Sequence, residues 1–301
     1  MLKVAVVGSS GMLGSTVAKV LEDNLFDVFE FNRTGIPVTR KGKVYKFEAT
    51  SISSFLKKMK NLEIEYLVNC VGMIKQIINE DDKNSVELAR AINTNFPKLL
   101  NSYAKNTGIS VIQIGTDCVF SGDSGLYNEA QDHDPIDVYG ATKSLGEKNA
   151  FSSMTIRCSI IGREMNTSNS LLEWVLSQPN NAIVNGYSNH FWNGVTTLQF
   201  AKIVSGVIKS ESYAQGVFHL VPKDIISKYE LIKLIAASFE RNDLQIRKYE
   251  AKRFIDRSLS TLFPGQNLSL WQNGGYNEIP TIEAMVFEYR SWIKLNKEIV
   301  E

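Results

Sequence analysis

Long apolar runs are missing from this 301-residue chain: none approaches the roughly 18 residues of a membrane span. An excess of charge is missing too. Lysine and arginine number 33 against 32 aspartates and glutamates, which excludes the concentrated positive field of a nucleic-acid or polybasic membrane surface. The three cysteines, Cys70, Cys118 and Cys158, form no CxxC pair, and their odd number suits the reduced thiols of a cytoplasmic protein. His133, His190 and His219 lie far apart, so neither an HExxH nor a Cys/His cluster is present and no metal is expected. The opening MLKVAVVGSSGMLG has too short an apolar run for a signal peptide and passes straight into a glycine pattern. These absences lead to the expectation of a soluble cytoplasmic protein without nucleic-acid or membrane partners.

What is present is an alternation. Short β-rich runs, KVAVVG (3–8), DVFEFNR (27–33), VYKFEA (44–49), YLVNCVG (66–72), SVIQIGTD (110–117) and MTIRCSIIG (154–162), are separated by stretches at helical spacing. Those stretches include SVELARAINTNFPKLLNSYAKNTG (85–108) and YGATKSLGEKNA (139–150). Continuous apolar strands alternating with helices predict an α/β fold, a doubly wound parallel Rossmann sheet with ligands at its carboxyl edge. After residue 162 the rhythm changes. One more buried-looking strand, GVFHLV, follows a Trp-bearing helix and the segment NGYSNHFWNG. The predicted dinucleotide-binding domain is 1–162 plus about 193–221. A smaller α/β substrate lobe takes about 163–192 plus 222–301.

GSSGMLG (8–14) has GxxGxxG spacing directly after a strand and at the start of a helix. Glycine there permits a tight turn and close backbone approach to a pyrophosphate, and the helix N-terminus supplies unpaired N–H donors. The second strand ends EFNRTG, with Arg33 where a ribose 2′-phosphate lies, so the expected cofactor is NADPH. Arg40, Lys41 and Lys43 fit either that phosphate or a solvated basic loop, and Glu30 keeps NADH open. Glu48 fits either an acceptor for the adenine amino group or a surface carboxylate.

DVYGATKSLGE (137–147) places Tyr139 and Lys143 four residues apart on one helix face. A neighbouring ammonium stabilises a phenolate, bringing tyrosine nearer to acid–base work at neutral pH. Thr116, at another strand end, is available to polarise a carbonyl. The cysteine beside it has no activating base in the sequence and reads as a small buried filler.

Together, GSSGMLG, LVNCVG, AINTNFPKLL, GTDCVFSG with GLYNEAQDHDPIDVYGATKSLGE, TIRCSIIG and WNGVTTLQFAKIV resemble a known family. It is the extended short-chain dehydrogenase/reductases acting on nucleotide-activated sugars, in the dTDP-4-dehydrorhamnose reductase branch. The resemblance covers residues 1 to about 222 and implies a catalytic trio of Thr116, Tyr139 and Lys143. It implies cofactor contacts from Gly8, Ser10, Gly11, Met12, Leu13, Gly14, Arg33, Glu48, Cys70, Val71, Gly72 and Lys143. Substrate contacts are expected at Asp117, Cys118, Arg163, Trp192 and Asn193. Lys75 and Gln76, in a loop at the carboxyl edge, reach the substrate or are plain loop residues. Asn93 shapes the active site or is ordinary helix packing.

The chain departs from the branch at Cys118, where tyrosine is usual, at Gly115 for serine, at Ile160 for tryptophan, and in the segment 71–84. Sugar dehydratases carry an Asp-Glu pair after the threonine; here it is Asp117–Cys118, so reduction fits better than dehydration. The expected activity is NADPH-dependent reduction of a 4-keto group on a nucleotide-linked 6-deoxy sugar, serving polysaccharide synthesis and compatible with a homodimer. Its rivals are a nucleotide-sugar epimerase and a non-catalytic regulatory subunit like that of methionine adenosyltransferase.

Overall fold

In a computed structural model, which describes residues 1–50, 52–148, 150–164 and 168–296, the predicted alternation becomes an ordered sheet. The first strands are β1 (Lys3–Val7), β2 (Asp27–Asn32), β3 (Lys43–Lys46), β4 (Tyr66–Asn69), β5 (Ser110–Gly115) and β6 (Met154–Arg157). Then follow β7 (Ile160–Ile161), β8 (Ile183–Tyr187), β9 (His190–Trp192), β10 (Val195–Thr196) and β11 (Gly216–His219). The last are β12 (Ile226–Ser227), β13 (Gln245–Tyr249) and β14 (Ile255–Asp256). Helices in the first half are α1 (Met12–Asp23), α2 (Ile52–Leu62), α3 (Lys83–Arg90), α4 (Phe96–Thr107) and α5 (Val138–Glu147). The second half adds α6 (Leu171–Leu176), α7 (Thr197–Lys209), α8 (Lys228–Ser238), α9 (Pro264–Asn273) and α10 (Ile282–Leu295).

Among the described residues, seven strands form one parallel sheet in the order β11-β6-β5-β4-β1-β2-β3. The chain is a doubly wound Rossmann-like α/β protein. The strand order reverses between β1 and β4, which opens a crevice at their carboxyl ends. Alternation along β1 explains why the run is apolar throughout. Val4 and Val6 enter the core beneath α1 and α7, while Ala5 and Val7 enter the core beneath α2 and α4. Burying each such valine contributes about 1.5–3 kcal/mol. The second core is largely aromatic, with Phe47 and Phe55 at 4.6 Å between ring centroids and Phe31 and Phe96 beside them. No helix among the described residues is long and apolar enough to cross a membrane.

Three expectations change in detail. The third strand occupies 43–46 rather than 44–49. The run 154–162 splits at Cys158–Ser159: its second part, β7, leaves the main sheet and pairs with β10, Ile160 opposite Val195. The helix expected over 85–108 widens into a π turn at Ala91–Asn95 between α3 and α4. There Asn93, fully buried, holds Met73 by donating to its carbonyl and accepting from its N–H, both at 2.9 Å. The helix expected over 139–150 is α5; Asn149 lies outside the described residues, as do 165–167 and 297–301 of the expected substrate lobe. Two small sheets join that lobe's halves, β12-β9-β14 and β13-β8.

Behind α5 lies a buried polar knot. Arg157 is 2% exposed and donates to Glu147 Oε2 at 2.7 Å. Its two terminal nitrogens meet His219 Nε2 at 2.6 Å and His133 Nε2 at 2.9 Å. Breaking such a pair by removing one partner costs about 3–5 kcal/mol, because the other charge stays buried. Burial, with Arg157 adding, pulls the His219 imidazole down from 6.5 to about 4, while Glu129 opposes. Burial lowers His133 as well. The unfolded chain therefore takes up protons first as pH falls, so this stability is whole above about pH 6.5 and is lost on the way down to pH 4. Urea unfolding is expected to show His219 alone removing about 2 kcal/mol between pH 7 and pH 5. His219→Gln should flatten that slope; an unaltered slope in the variant would place its origin elsewhere.

Candidate active site

The glycine pattern turns β1 into α1 beneath the crevice. A Cβ at Gly14 would stand 2.1 Å from the Gly8 carbonyl oxygen, so only glycine lets the helix begin so close to the strand. Gly11 caps α1 without any side-chain hydrogen bond, leaving the first N–H groups of the helix to face outward. Ser10 and Met12 are half-buried and Gly11 is exposed, whereas the Leu13 side chain belongs to the core. Asn32, at the end of β2, steadies this turn from the next strand. Its amide donates to Ser9 Oγ and to the Ile36 carbonyl, each at 2.9 Å. Val71, after β4, packs against Gly8 from the other side, and its N–H donates to Asn69 Oδ1 at 3.1 Å. Beside it, burial pushes the Cys70 thiol far up, so it is a neutral wall residue.

Arg33 is exposed just past β2 and, among the described residues, has no hydrogen bond or ion pair. Glu30, by contrast, is fully buried and accepts from Val38 N, Thr39 N and the Thr39 hydroxyl. It cannot reach a ribose. Lys43 pairs with Asp27 at 2.9 Å, and the backbone N–H groups of Arg40 and Lys41 bind Glu22. Glu48 is exposed on the wall of a cavity of about 440 Å³ lined also by Phe31, Tyr45, Phe55 and Lys58.

Thr116 directly follows β5, and its hydroxyl accepts from Cys118 N at 3.2 Å and donates to Asp117 Oδ1 at 3.3 Å. Thr116 also lies near enough to Tyr139 to favour the ionised phenol. Asp137 places that tyrosine by capping α5, accepting from Gly140 N at 2.8 Å. A Cβ at Gly140 would lie 2.2 Å from the Cys118 carbonyl oxygen, so glycine after the tyrosine brings helix and turn together. Lys143, one turn on, is buried and donates to the Ile114 carbonyl at 2.9 Å.

Burial raises the Tyr139 pKa most, Cys118 adds to that, and the nearby Thr116 side chain opposes it. Lys143 is not among its strongest influences; burial pulls the lysine itself down, with Glu147 opposing. At neutral pH the phenol therefore holds its proton and is an acid in waiting. Burial, reinforced by Asp117, pushes the Cys118 thiol up to about 12, which leaves it without nucleophilic thiolate.

The expected substrate contacts divide. Lys75 is held by Asp137 at 2.9 Å, and Arg163 is paired with Glu173. Asn193 is buried, with its amide donating to Leu259 O at 2.7 Å and accepting from Leu259 N at 2.9 Å, so it straps two chain segments together. Trp192 is buried and donates to Ser159 Oγ at 2.8 Å. Two cleft residues escaped the sequence reading, Lys228 and Arg257. They are single basic residues in a polar stretch with no motif, and only the fold brings them to Trp192 and Cys118.

The chain is 23% identical over 241 residues to a dTDP-4-dehydrorhamnose reductase of Aggregatibacter actinomycetemcomitans, a match covering 76% of each chain. It is 26% identical over 143 residues to the "Probable low-salt glycan biosynthesis reductase" of Haloferax volcanii. That match takes in 47% of this chain and 46% of the relative, so it spans about half of each. Among solved structures, the dTDP-4-dehydrorhamnose reductase of Bacillus anthracis in complex with NADP shares the fold with a TM-score of 0.78. Its sequence is 17% identical, over 98% of this chain and 99% of that one. The family described as RmlD substrate binding domain matches residues 2–258, and the chain belongs to that family.

Proposed function

We propose that the chain is an NADPH-dependent reductase of the 4-keto group of a nucleotide-activated 6-deoxy sugar, working in the cytoplasm toward a polysaccharide precursor. The observation that carries this reading is the close packing of α5, which bears Tyr139 and Lys143 one turn apart, against the turn that follows Thr116 at the carboxyl edge of the sheet. The residues fit a dinucleotide: the Gly8–Gly14 cradle admits backbone next to phosphate, α1 offers uncapped N–H groups, and Arg33 is an unpaired guanidinium for a 2′-phosphate. Names of relatives in the family, including one whose structure holds NADP, support the same cofactor and substrate class.

Bound NADPH would supply the hydride. In this reading, Tyr139 delivers its phenolic proton to the substrate oxygen as negative charge grows there. Thr116 donates a hydrogen bond to the same oxygen, and Lys143 holds a ribose while its charge stabilises the phenolate left behind. A phenol kept protonated by burial suits the reducing direction, in which tyrosine gives rather than takes a proton. Residues 1–162 with 193–221 hold the cofactor, and 163–192 with 222–301 close over the sugar. Asp117 and Cys118 would border the sugar pocket, with Trp192 part of its wall.

The test is NADPH oxidation with enzymatically generated dTDP-4-keto-6-deoxy sugar, with and without a C3/C5 epimerase. Tyr139→Phe should lower kcat by about 10²-fold or more while NADPH still binds. Thr116→Val should lower it by about 10²-fold. A sugar epimer formed without net NADPH loss would mean an epimerase. Cofactor binding with no turnover of dTDP-, UDP- or GDP-linked keto sugars would favour a regulatory role. Arg33→Ala should weaken NADPH binding by roughly tenfold or more and leave NADH binding unchanged, read by cofactor fluorescence titration; equal losses for both would remove Arg33 from the 2′-phosphate.

A further inference from the structure

Tyr139, Lys143 and Glu147 are spaced four residues apart, so they run down one face of α5. Arg157 uses only half of that glutamate. Its Nε and a terminal nitrogen both donate to Oε2, at 3.2 and 2.7 Å. The other oxygen, Oε1, is buried with no hydrogen-bond partner among the described residues. A second such atom lies close by. Thr155 pairs with Gln113 across β6 and β5, and Arg157 with Gly115, while Ile112, Met154 and Ile156 enter the core beneath α1 and α7. The four residues between them therefore share the sheet face that α5 covers. The Thr155 hydroxyl is buried and unpartnered like Glu147 Oε1. Both residues line a cavity of about 10 Å³ under α5, with Asn93, Gln113, Ile114 and Lys143.

The amides around that cavity are already used. Asn93 donates to Met73 O and Thr142 Oγ1, and Gln113 donates to Ser153 Oγ at 3.0 Å and accepts from Asn69 at 3.2 Å. Lys143 spends one N–H on the Ile114 carbonyl and keeps two more. A carboxylate oxygen, a hydroxyl and an ammonium remain. They suit one water, which takes two to four hydrogen bonds and a space of roughly 10–15 Å³. Gly115 keeps that space open, since a Cβ there would stand 3.0 Å from Glu147 Oε1. The titratable groups acting on Lys143 are Glu147 from its own helix, Cys158 after β6 and Cys118 after β5. Burial pulls the lysine down, and Glu147 is first to oppose it. Burial pushes both thiols up and leaves them neutral. Burial works against the Glu147 carboxylate too, but Arg157, then Lys143 and His133, hold it below its ordinary range. Glu147 is thus the one charge in that set, and Tyr139 feels it as well.

We propose that Glu147 is the positioning residue of the Lys143 ammonium, acting through one water held between Glu147 Oε1 and the Thr155 hydroxyl. The water joins carboxylate to ammonium by hydrogen bonds, which holds the lysine in its charged form as the phenolate appears. The assignment rests on the roles proposed for Tyr139 and Lys143, but its first test does not require turnover.

The full chain is labelled with carbon-13 at lysine Cε, and the Lys143 signal, assigned by its loss in Lys143→Met, is titrated by NMR. The unmodified chain is compared with Glu147→Gln, Thr155→Val and Thr155→Ser, with thermal midpoint and NADPH binding checked in each. In Glu147→Gln the charge that opposes burial is gone, so Lys143 gives up its proton at lower pH. Thr155→Val leaves the Arg157 pair intact and moves the titration the same way by less. Thr155→Ser, which keeps the hydroxyl, restores the unmodified titration. With keto sugar at pH 8, kcat falls about tenfold in Glu147→Gln and about fivefold in Thr155→Val at unchanged KM. The alkaline limb of kcat moves to lower pH in both, and the rates converge with the unmodified chain as pH falls. A Lys143 titration unchanged in well-folded Thr155→Val, or moved equally by Thr155→Val and Thr155→Ser, overturns the proposal. Should Glu147→Gln fail to fold, the two Thr155 variants decide alone. A shifted titration with no keto sugar reduced would keep the link from Glu147 to Lys143 and remove the reductase reading instead.

Discussion

The Arg157 guanidinium joins three parts of the chain that are distant in sequence. It sits at the end of β6 with almost no access to water, and it binds the last residue of α5, the loop carrying His133, and His219 at the end of β11. Its face also lies 5.2 Å from the Phe120 ring, which stacks on Tyr127 at 4.4 Å. A buried charge of this kind tolerates few arrangements, because each N–H must meet an acceptor. α5 is therefore fixed at its C-terminal end by Arg157 and at its N-terminal end by the Asp137 cap. Between those two anchors lie Tyr139 and Lys143. The geometry of the proposed proton donor is thus set from the two ends of its helix.

The crevice between β1 and β4 separates two kinds of work. On its β1–β2 side, backbone N–H groups and an unpaired arginine suit phosphate. On its β5 side, hydroxyls suit a carbonyl. Asn32 and Asn93 tie these halves to the frame, the first joining the glycine turn to the loop after β2 and the second joining the loop after β4 to α5 through Thr142. Neutral amides serve well here because each can donate and accept at once without carrying a charge into the interior.

The parts legible in the sequence are those whose chemistry is local. The succession of strands and helices along the chain followed from the apolar runs, the cradle from glycines next to a strand, and the Tyr139–Lys143 pair from helical spacing. Arg33 lies exposed just past β2, where the sequence placed it. Glu30 was not legible: it looked available, yet its carboxylate is closed off by Val38 and Thr39, contacts that no spacing rule announces. Arg163 and Asn193 likewise look like cleft residues in one dimension and hold protein partners in three. Lys228 and Arg257 were hidden for the opposite reason, since their shared location depends on β9 pairing with both β12 and β14. The split of the 154–162 run depended on β10, which comes much later in the chain.

The π turn between α3 and α4 has a consequence for how the segment tolerates change. An extra residue in a turn advances the later side chains by about 100° around the helix axis. Ala89 before the turn can then face Met73, Ile78 and the Tyr139 ring, while Phe96, Leu100 and Ala104 after it face the aromatic core under the sheet. One rod thereby serves two cores in two rotational phases. Substitutions along it alter a contact apiece, whereas loss of a single residue near Ala91–Asn95 would keep the helix and turn one entire face away from its core. Chain length in this stretch is therefore under tighter constraint than residue identity, and related chains should vary here by replacement rather than by deletion.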